Sequence, residues 1–95
     1  MKGSSVYKIP DGKLVKVQLE FEGQKILSVK IFGDFFLYPE EGIEKIEQTL
    51  SGKTLEEKEL VNAIDVAQKK NSLEFFGLSS QGLATALLMA RGEQK

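Results

Sequence analysis

Two short charged motifs are the places where this sequence could recognise a polar ligand or partner. One is DGK at residues 11–13, and the other is GDFF at residues 33–36. Each places a charged side chain beside a glycine, and at Gly12 the missing side chain would permit close backbone approach. If the fold brings the acid and the base to one exposed edge, they become candidates for polar recognition. A surface ion pair with no further role is the alternative interpretation.

The composition excludes several kinds of chemistry. The sequence contains no Cys and no His. A disulfide framework, a thiol nucleophile, a Cys/His zinc site, a Ser-His triad and imidazole acid–base catalysis are therefore all excluded. Chemistry would have to rest on Lys, Asp, Glu, Ser or Tyr, and the sequence shows no clustered acid–base constellation of these types. We therefore predict no catalytic residue and no metal ligand, which disfavours an independent enzyme.

Size and charge restrict the partners. The 95 residues predict one domain, 1–95, with a single modest core. Thirteen basic residues against fourteen acidic ones give a net charge of −1, so nucleic acid and anionic membrane are not expected partners. No apolar run reaches the roughly 18 residues of a membrane span, and the N-terminus lacks a signal-peptide hydrophobic region. A cytoplasmic protein is expected.

Residues 5–33 predict a three-stranded antiparallel meander. PDG at residues 10–12 is a turn tripeptide, and a three-residue hairpin loop there pairs Tyr7 with Val15. The next strand alternates between apolar and polar residues, which indicates one buried face. Its apolar positions are Val15, Val17, Leu19 and Phe21.

The second turn sets the register of the third strand. We expect a three-residue loop at 22–24, which pairs Val17 with Val29 and Lys16 with Lys30. This choice places the apolar faces of both strands on the same side of the sheet.

A shorter loop is the alternative for that turn. A two-residue loop at 22–23 would place Leu19 beside Ile26 and turn Leu27 toward solvent. The hydrophobic pattern favours the longer loop, which buries Leu19 and Leu27 under the helices.

The longer loop also makes Lys13 the cross-strand neighbour of Gly33. The two charged motifs, far apart in sequence, are then expected at one edge of the sheet.

The remainder of the sequence is predominantly helical. Pro39 and the acidic residues after it predict a helix that ends at Gly52, and TLEE at 54–57 resembles a capping box that opens a second helix. Ser79 or Ser80 is expected to cap a third helix, and residues 72–78 fit either a short strand or an apolar connector. Strands followed by helices predict an α+β two-layer sandwich, in which the three-stranded meander packs against two to three C-terminal helices.

The aromatic residues between sheet and helices have two interpretations. Phe35, Phe36 and Leu37 are expected to plug one end of the core, with Tyr38 as its cap. Contact with a ligand or partner is the alternative.

The two motifs and their surroundings resemble the small accessory domain of lipoate-protein ligases. In bacteria this domain is often C-terminal, and in some archaea it is a separate short subunit. The resemblance extends from Tyr7 to about Leu60. It is most specific at DGK and GDFF, followed by four further positions: Glu40, Glu41, Ile46 and Glu47.

The resemblance implies a non-catalytic accessory subunit. It implies a heterodimer with a catalytic large subunit that holds lipoate and ATP with Mg, in which both subunits are needed to make lipoyl-adenylate. The lipoyl group then passes to a lysine of an acyl-carrier domain, an indirect partner. The family's domain has an α+β fold akin to sulfur-transfer scaffolds, which work through Cys. The absence of Cys here removes sulfur transfer as a function.

Site residues follow from the resemblance together with the expected edge. Lys13 would supply a cation for adenylation, Gly12 would permit close backbone approach, and Asp34 would orient Lys13 or a partner group. The remaining motif residues are candidates for the partner interface: Asp11, Gly33, Phe35 and Phe36. The alternative function is a small adaptor that docks another enzyme without taking part in substrate chemistry.

Overall fold

The structure, a computed structural model, describes residues 1–92. The last three residues of the expected domain 1–95 lie outside the described residues. The elements in chain order are β1 (Lys2–Lys8), β2 (Leu14–Glu22), β3 (Lys25–Gly33), β4 (Phe36–Tyr38), α1 (Gly42–Leu50), α2 (Glu57–Lys70), β5 (Glu74–Phe76) and α3 (Ser80–Gly92).

The fold is an α+β sandwich of two layers, as predicted. One layer is the antiparallel sheet β1-β2-β3, and the other contains the three helices. Helix α3 packs on β1 and β2, α1 packs on β3, and α2 lies against both of these helices. The core forms where the inward side chains of β2 meet the helices. No helix within residues 1–92 is both long and apolar enough to cross a membrane.

The β1–β2 pairing agrees with the prediction. Tyr7 lies opposite Val15, and Ser5 lies opposite Val17. Ser5 is a polar residue in the core, and its hydroxyl donates a hydrogen bond to the Ala86 carbonyl of α3 at 2.7 Å. This bond ties the edge strand to the helix layer.

The predicted β2–β3 register is wrong. Val17 pairs with Ile31 rather than Val29, and Lys16 therefore does not face Lys30. Phe32 occupies the position opposite Lys16.

A tight turn and a bulge together explain the observed register. The turn contains only Gly23 and Gln24, with Gly23 at a φ of 59°, and the register shifts beside Glu20 and Phe21. Leu27 has no cross-strand partner at this bulge and is 42% exposed, so its predicted burial is also wrong. The extra residue allows Ile26 and Val29, three positions apart, to face the same core.

Two helices begin later than predicted, α1 by three residues and α2 by two. Helix α1 begins at Gly42 because residues 39–41 form a turn, in which the Gly42 N–H donates to the Pro39 carbonyl at 2.9 Å. Helix α2 begins at Glu57, and no side chain caps its N-terminus.

The capping box predicted at 54–57 is wrong because β3 engages this segment instead. The Ile26 N–H donates to the Lys53 carbonyl at 2.9 Å, and the Leu55 N–H donates to the Gln24 carbonyl at 2.6 Å. Thr54 forms an isolated bridge with Lys25.

Residues 74–76 form a strand, which resolves the alternatives for 72–78. Strands β4 and β5 make a separate two-stranded antiparallel sheet, in which Phe36 lies opposite Phe76 and Leu37 lies opposite Phe75. Leu37 is buried and Phe75 packs against the core. The inner face of this small sheet therefore closes one end of the core.

Candidate functional site

The two charged motifs meet at one end of the main sheet. The backbone N–H of Asp34 donates a hydrogen bond to the Leu14 carbonyl at 3.0 Å. Gly33 lies opposite Val15 rather than opposite Lys13, because the register differs from the predicted one by two residues. This displacement is too small to separate the motifs. They lie at one edge, as expected, but with different cross-strand partners.

A third segment, the link between β5 and α3, joins this edge. The Lys13 N–H donates to the Gly77 carbonyl at 2.9 Å. A Cβ atom on Gly12 would lie 2.9 Å from the same carbonyl oxygen, and one on Gly77 would overlap the Lys13 side chain. Both glycines thus permit one loop to pack on another.

Sequence reasoning did not identify Gly77 as part of the edge. The sequence feature that could have indicated this role is a single glycine between apolar residues, in FFGL at 75–78. Gly77 has a φ of 78°, in the left-handed region that favours glycine. A lone glycine predicts a turn, but the segment against which the turn packs is decided by the tertiary structure.

Lys13 and Asp34 are held by their backbones and expose their side chains. Their backbone N–H groups make the hydrogen bonds described above, and both residues are exposed, as is Asp11 in the hairpin loop. An ammonium and a carboxylate therefore project from fixed backbone positions at one edge, and a partner can reach both.

The GDFF residues divide into structural and exposed positions. A Cβ on Gly33 would overlap the Leu14 carbonyl, so the glycine permits the close crossing of β2 and β3. Phe35 is half-buried against the core, as expected, but Phe36 is 74% exposed. Its predicted role as a core plug is wrong because β4 alternates and directs Leu37 inward instead.

An exposed aromatic surface lies beside this edge. Phe36, Tyr38 and Phe76 are 74%, 66% and 53% exposed on the outer face of the β4–β5 sheet. These three residues are called the aromatic patch below. The prediction that Tyr38 caps the core is wrong, since its ring projects away from the core side of β4.

Glu47, one of the positions that carried the resemblance, has a structural role in this fold. Its Oε2 accepts the backbone N–H of Ile31 at 2.8 Å on the edge of β3 that is not paired with β2. The Ser51 hydroxyl similarly donates to the Leu27 carbonyl at 2.9 Å. Side chains from α1 and its C-terminal end therefore satisfy backbone groups of an edge strand.

The described acidic residues do not form a metal centre. Within residues 1–92, no group of three or more Asp or Glu side chains is arranged to hold a metal ion. The edge offers one cation and separate carboxylates, a set suited to recognising charge on a partner or on a substrate that the partner holds.

Comparison with known proteins finds relatives among lipoate-protein ligases. Residues 7–87 match the family described as "Bacterial lipoate protein ligase C-terminus". Lipoate-protein ligase A subunit 2 of Thermoplasma acidophilum is 40% identical over 43 residues, which cover 45% of this chain. The match spans about half of that relative, 46% of its length.

A solved structure extends the similarity to nearly the whole fold. It is described as an archaeal lipoylation system, comprising a bi-partite lipoate protein ligase and its E2 lipoyl domain from Thermoplasma acidophilum. One of its chains superposes with a TM-score of 0.78 at 28% identity, covering 92% of this chain and 94% of the other. Because the family match also includes most of the sequence, the protein belongs to the family of bacterial lipoate protein ligase C-terminal domains.

Proposed function

We propose that this protein is the non-catalytic accessory subunit of a two-component lipoate-protein ligase. Together with a catalytic large subunit, it is required for ATP-dependent activation of lipoate to lipoyl-adenylate, before the lipoyl group is transferred to acyl-carrier domains. The observation that carries this proposal is the similarity to a chain of a bi-partite ligase over 92% of this chain and 94% of that one.

A domain of this size can promote adenylation by completing a partner's site. In adenylation a lipoate carboxylate oxygen attacks the α-phosphorus of ATP, the α–β phosphoanhydride bond breaks, and pyrophosphate leaves with the negative charge. A subunit that orders loops, excludes water and adds one cation near the departing charge lowers this barrier.

Lys13 is the cation that we assign to this role. Its exposed side chain extends from a backbone fixed by the hydrogen bond to Gly77, so the ammonium is presented from a defined position. Gly12 keeps the loop close to Gly77, and exposed Asp34 would orient Lys13 or a group of the partner.

The other motif residues divide between contact and support. Asp11 and Phe36 are exposed, which supports direct contact with the partner. Gly33 and Phe35 would act indirectly, because one permits the strand crossing and the other packs on the core.

The proposal assigns ATP with Mg and lipoate to the large subunit, with none bound by this chain alone. In this proposal the chain is cytoplasmic and forms a heterodimer with the large subunit, and lipoyl-acceptor domains are indirect partners. We propose neither nucleic acid nor membrane as a partner.

Co-purification followed by reconstitution tests the proposal. The chain is expected to bring down a ligase catalytic subunit and to restore lipoate- and ATP-dependent pyrophosphate release. A stable partner whose activity does not involve adenylation would instead support the adaptor function.

A further inference from the structure

We propose that the aromatic patch is the surface through which this chain docks on the catalytic subunit, against an apolar surface rimmed by Lys or Arg side chains. This inference rests on the proposed function and assigns the partner's contact to one face of the β4–β5 sheet.

The aromatic side chains of the patch are adjacent to one another. Phe36 lies directly opposite Phe76, and Tyr38 is two residues further along β4 on the same face. Each is more than half exposed, and together with Leu37 and Glu40 they line one shallow groove. Neighbouring exposed aromatic rings of this kind are typical of protein interfaces.

The exposure of the patch does not result from incomplete packing of the core, because the opposite face of the same sheet is already packed. Leu37 is 7% exposed and Phe75 packs against the core. Gly42 lies so close to Leu37 and Leu73 that a Cβ atom there would overlap both side chains. The aromatic rings are therefore presented on a supported strand pair, which lowers the entropy cost of docking.

The charges around the patch indicate the chemistry of its partner. Glu74 lies opposite Tyr38, Glu40 lines the same groove, and Asp34 precedes Phe36 by two residues. All three carboxylates are exposed. A basic rim on the partner complements them, whereas a second copy of this chain would bring like charges together.

The position of the patch connects docking with the proposed chemistry. Phe76 is followed by Gly77, whose carbonyl accepts the Lys13 N–H at 2.9 Å. A partner seated on the patch therefore extends directly toward the Lys13 edge. If the catalytic subunit docks on the patch, the Lys13 ammonium lies at the margin of the contact. The contact at the patch then leaves the ammonium uncovered.

The test compares matched variants in binding to the purified catalytic subunit. The double variant Phe36→Ser/Phe76→Ser is expected to raise the Kd about 30-fold or more, as loss of an aromatic hot spot of ~2 kcal/mol does. Leu27→Ser is the control, because it removes a 42% exposed side chain near the β2–β3 turn, at the end of β3 away from the patch. It should change the Kd less than about twofold. At saturating concentrations of the double variant, the adenylation rate should return to within about twofold of wild type.

A charge reversal provides a second variant that leaves the aromatic rings in place. Glu74→Lys should weaken binding about fivefold to tenfold at low salt and less at high salt, since it opposes the basic rim. Glu22→Lys, at the turn end of β2, is the control and should bind like wild type. Melting curves of all four variants establish that each is folded.

The possible results separate the two proposals. If the wild-type chain binds and stimulates the catalytic subunit, but the double variant and Glu74→Lys bind with wild-type affinity, the docking surface is wrong and the function stands. If the double variant only abolishes self-association of this chain, the patch belongs to a homodimer and the inference is overturned. Failure of the wild-type chain to bind any ligase catalytic subunit overturns both proposals.

Discussion

The backbone N–H of Lys13 donates a hydrogen bond to the Gly77 carbonyl at 2.9 Å, which fastens the first hairpin loop to the link between β5 and α3. The backbone of Lys13 is thus part of the fold, while its side chain is exposed. Structural and functional contributions of this residue can therefore be separated by changing the side chain alone.

Lys13→Ala should leave folding intact and slow lipoyl-adenylate formation by the reconstituted complex. An exposed charge contributes about 0–1 kcal/mol to stability, so the melting temperature should hardly change. A cation aligned on developing negative charge can contribute roughly 2.7–4 kcal/mol, a rate factor of about 100–1,000. Lys16→Ala, on the outer face of β2, is the matched control. Wild-type adenylation by a Lys13→Ala complex that assembles normally would mean that this edge is structural.

Gly77→Ala should destabilise the chain more than Gly52→Ala. Both glycines have positive φ angles, 78° and 88°, so both substitutions introduce backbone strain of about 1–3 kcal/mol. Only at Gly77 does the new Cβ also overlap the Lys13 side chain, because nothing lies within 4 Å of a Cβ at Gly52. Thermal unfolding of the two variants measures the difference. Equal melting temperatures would show that the packing of Gly77 on the hairpin loop adds nothing to stability.

Glu47→Ala should lower the free energy of unfolding by about 1.5–3 kcal/mol, the usual contribution of a hydrogen bond to a charged group. The substitution leaves the Ile31 N–H without its carboxylate acceptor at the edge of β3. Glu47→Gln retains an acceptor oxygen and should lose less. Glu44→Ala, at an exposed position of α1, is the control. Denaturant unfolding in which Glu47→Ala and Glu44→Ala match would contradict this role.

Ser5→Ala should cost about 1 kcal/mol, because it removes a buried hydroxyl that donates to the Ala86 carbonyl at 2.7 Å. Ser4→Ala changes an exposed neighbour on the same strand and should have little effect. Chemical denaturation measures both. A Ser5→Ala variant as stable as wild type would show that the bond between β1 and α3 makes no net contribution.

The parts of the fold that depend on local pattern could be predicted from the sequence. The PDG turn at 10–12 fixed the pairing of Tyr7 with Val15, and the alternation of β2 identified its buried face. Ser79 or Ser80 was the expected cap of α3, and it is the Ser79 Oγ that accepts the Gly82 N–H at 3.0 Å. Each of these features is decided by residues that are close in sequence.

The errors occurred where distant segments compete for the same residues. Unbroken alternation was assumed for β3, whereas a bulge leaves Leu27 without a partner and lets Ile26 and Val29 share the core. Thr54 was expected to cap a helix, but this segment pairs with β3 instead. Phe36 was expected in the core, but the pairing of β4 with β5 places it on the outer face of the small sheet. Neither segment alone predicts this pairing.

The candidate edge was predictable only where the meander alone forms it. The convergence of residues 11–13 with residues 33 and 34 followed from the meander, so an error of two residues in register preserved it. The contribution of Gly77 and the aromatic patch depended on the second sheet, which the sequence left undecided.

Separating the two half-reactions of lipoylation tests the central claim most directly. Lipoate- and ATP-dependent pyrophosphate release is measured for the catalytic subunit alone, this chain alone and the reconstituted pair, alongside lipoyl transfer from pre-made lipoyl-adenylate. We expect that this chain alone is inert, that the pair adenylates far faster than the catalytic subunit alone, and that transfer from pre-made adenylate hardly depends on this chain. Pyrophosphate release by the isolated chain, or equal adenylation with and without it, would rule out a non-catalytic accessory subunit that is required for adenylation.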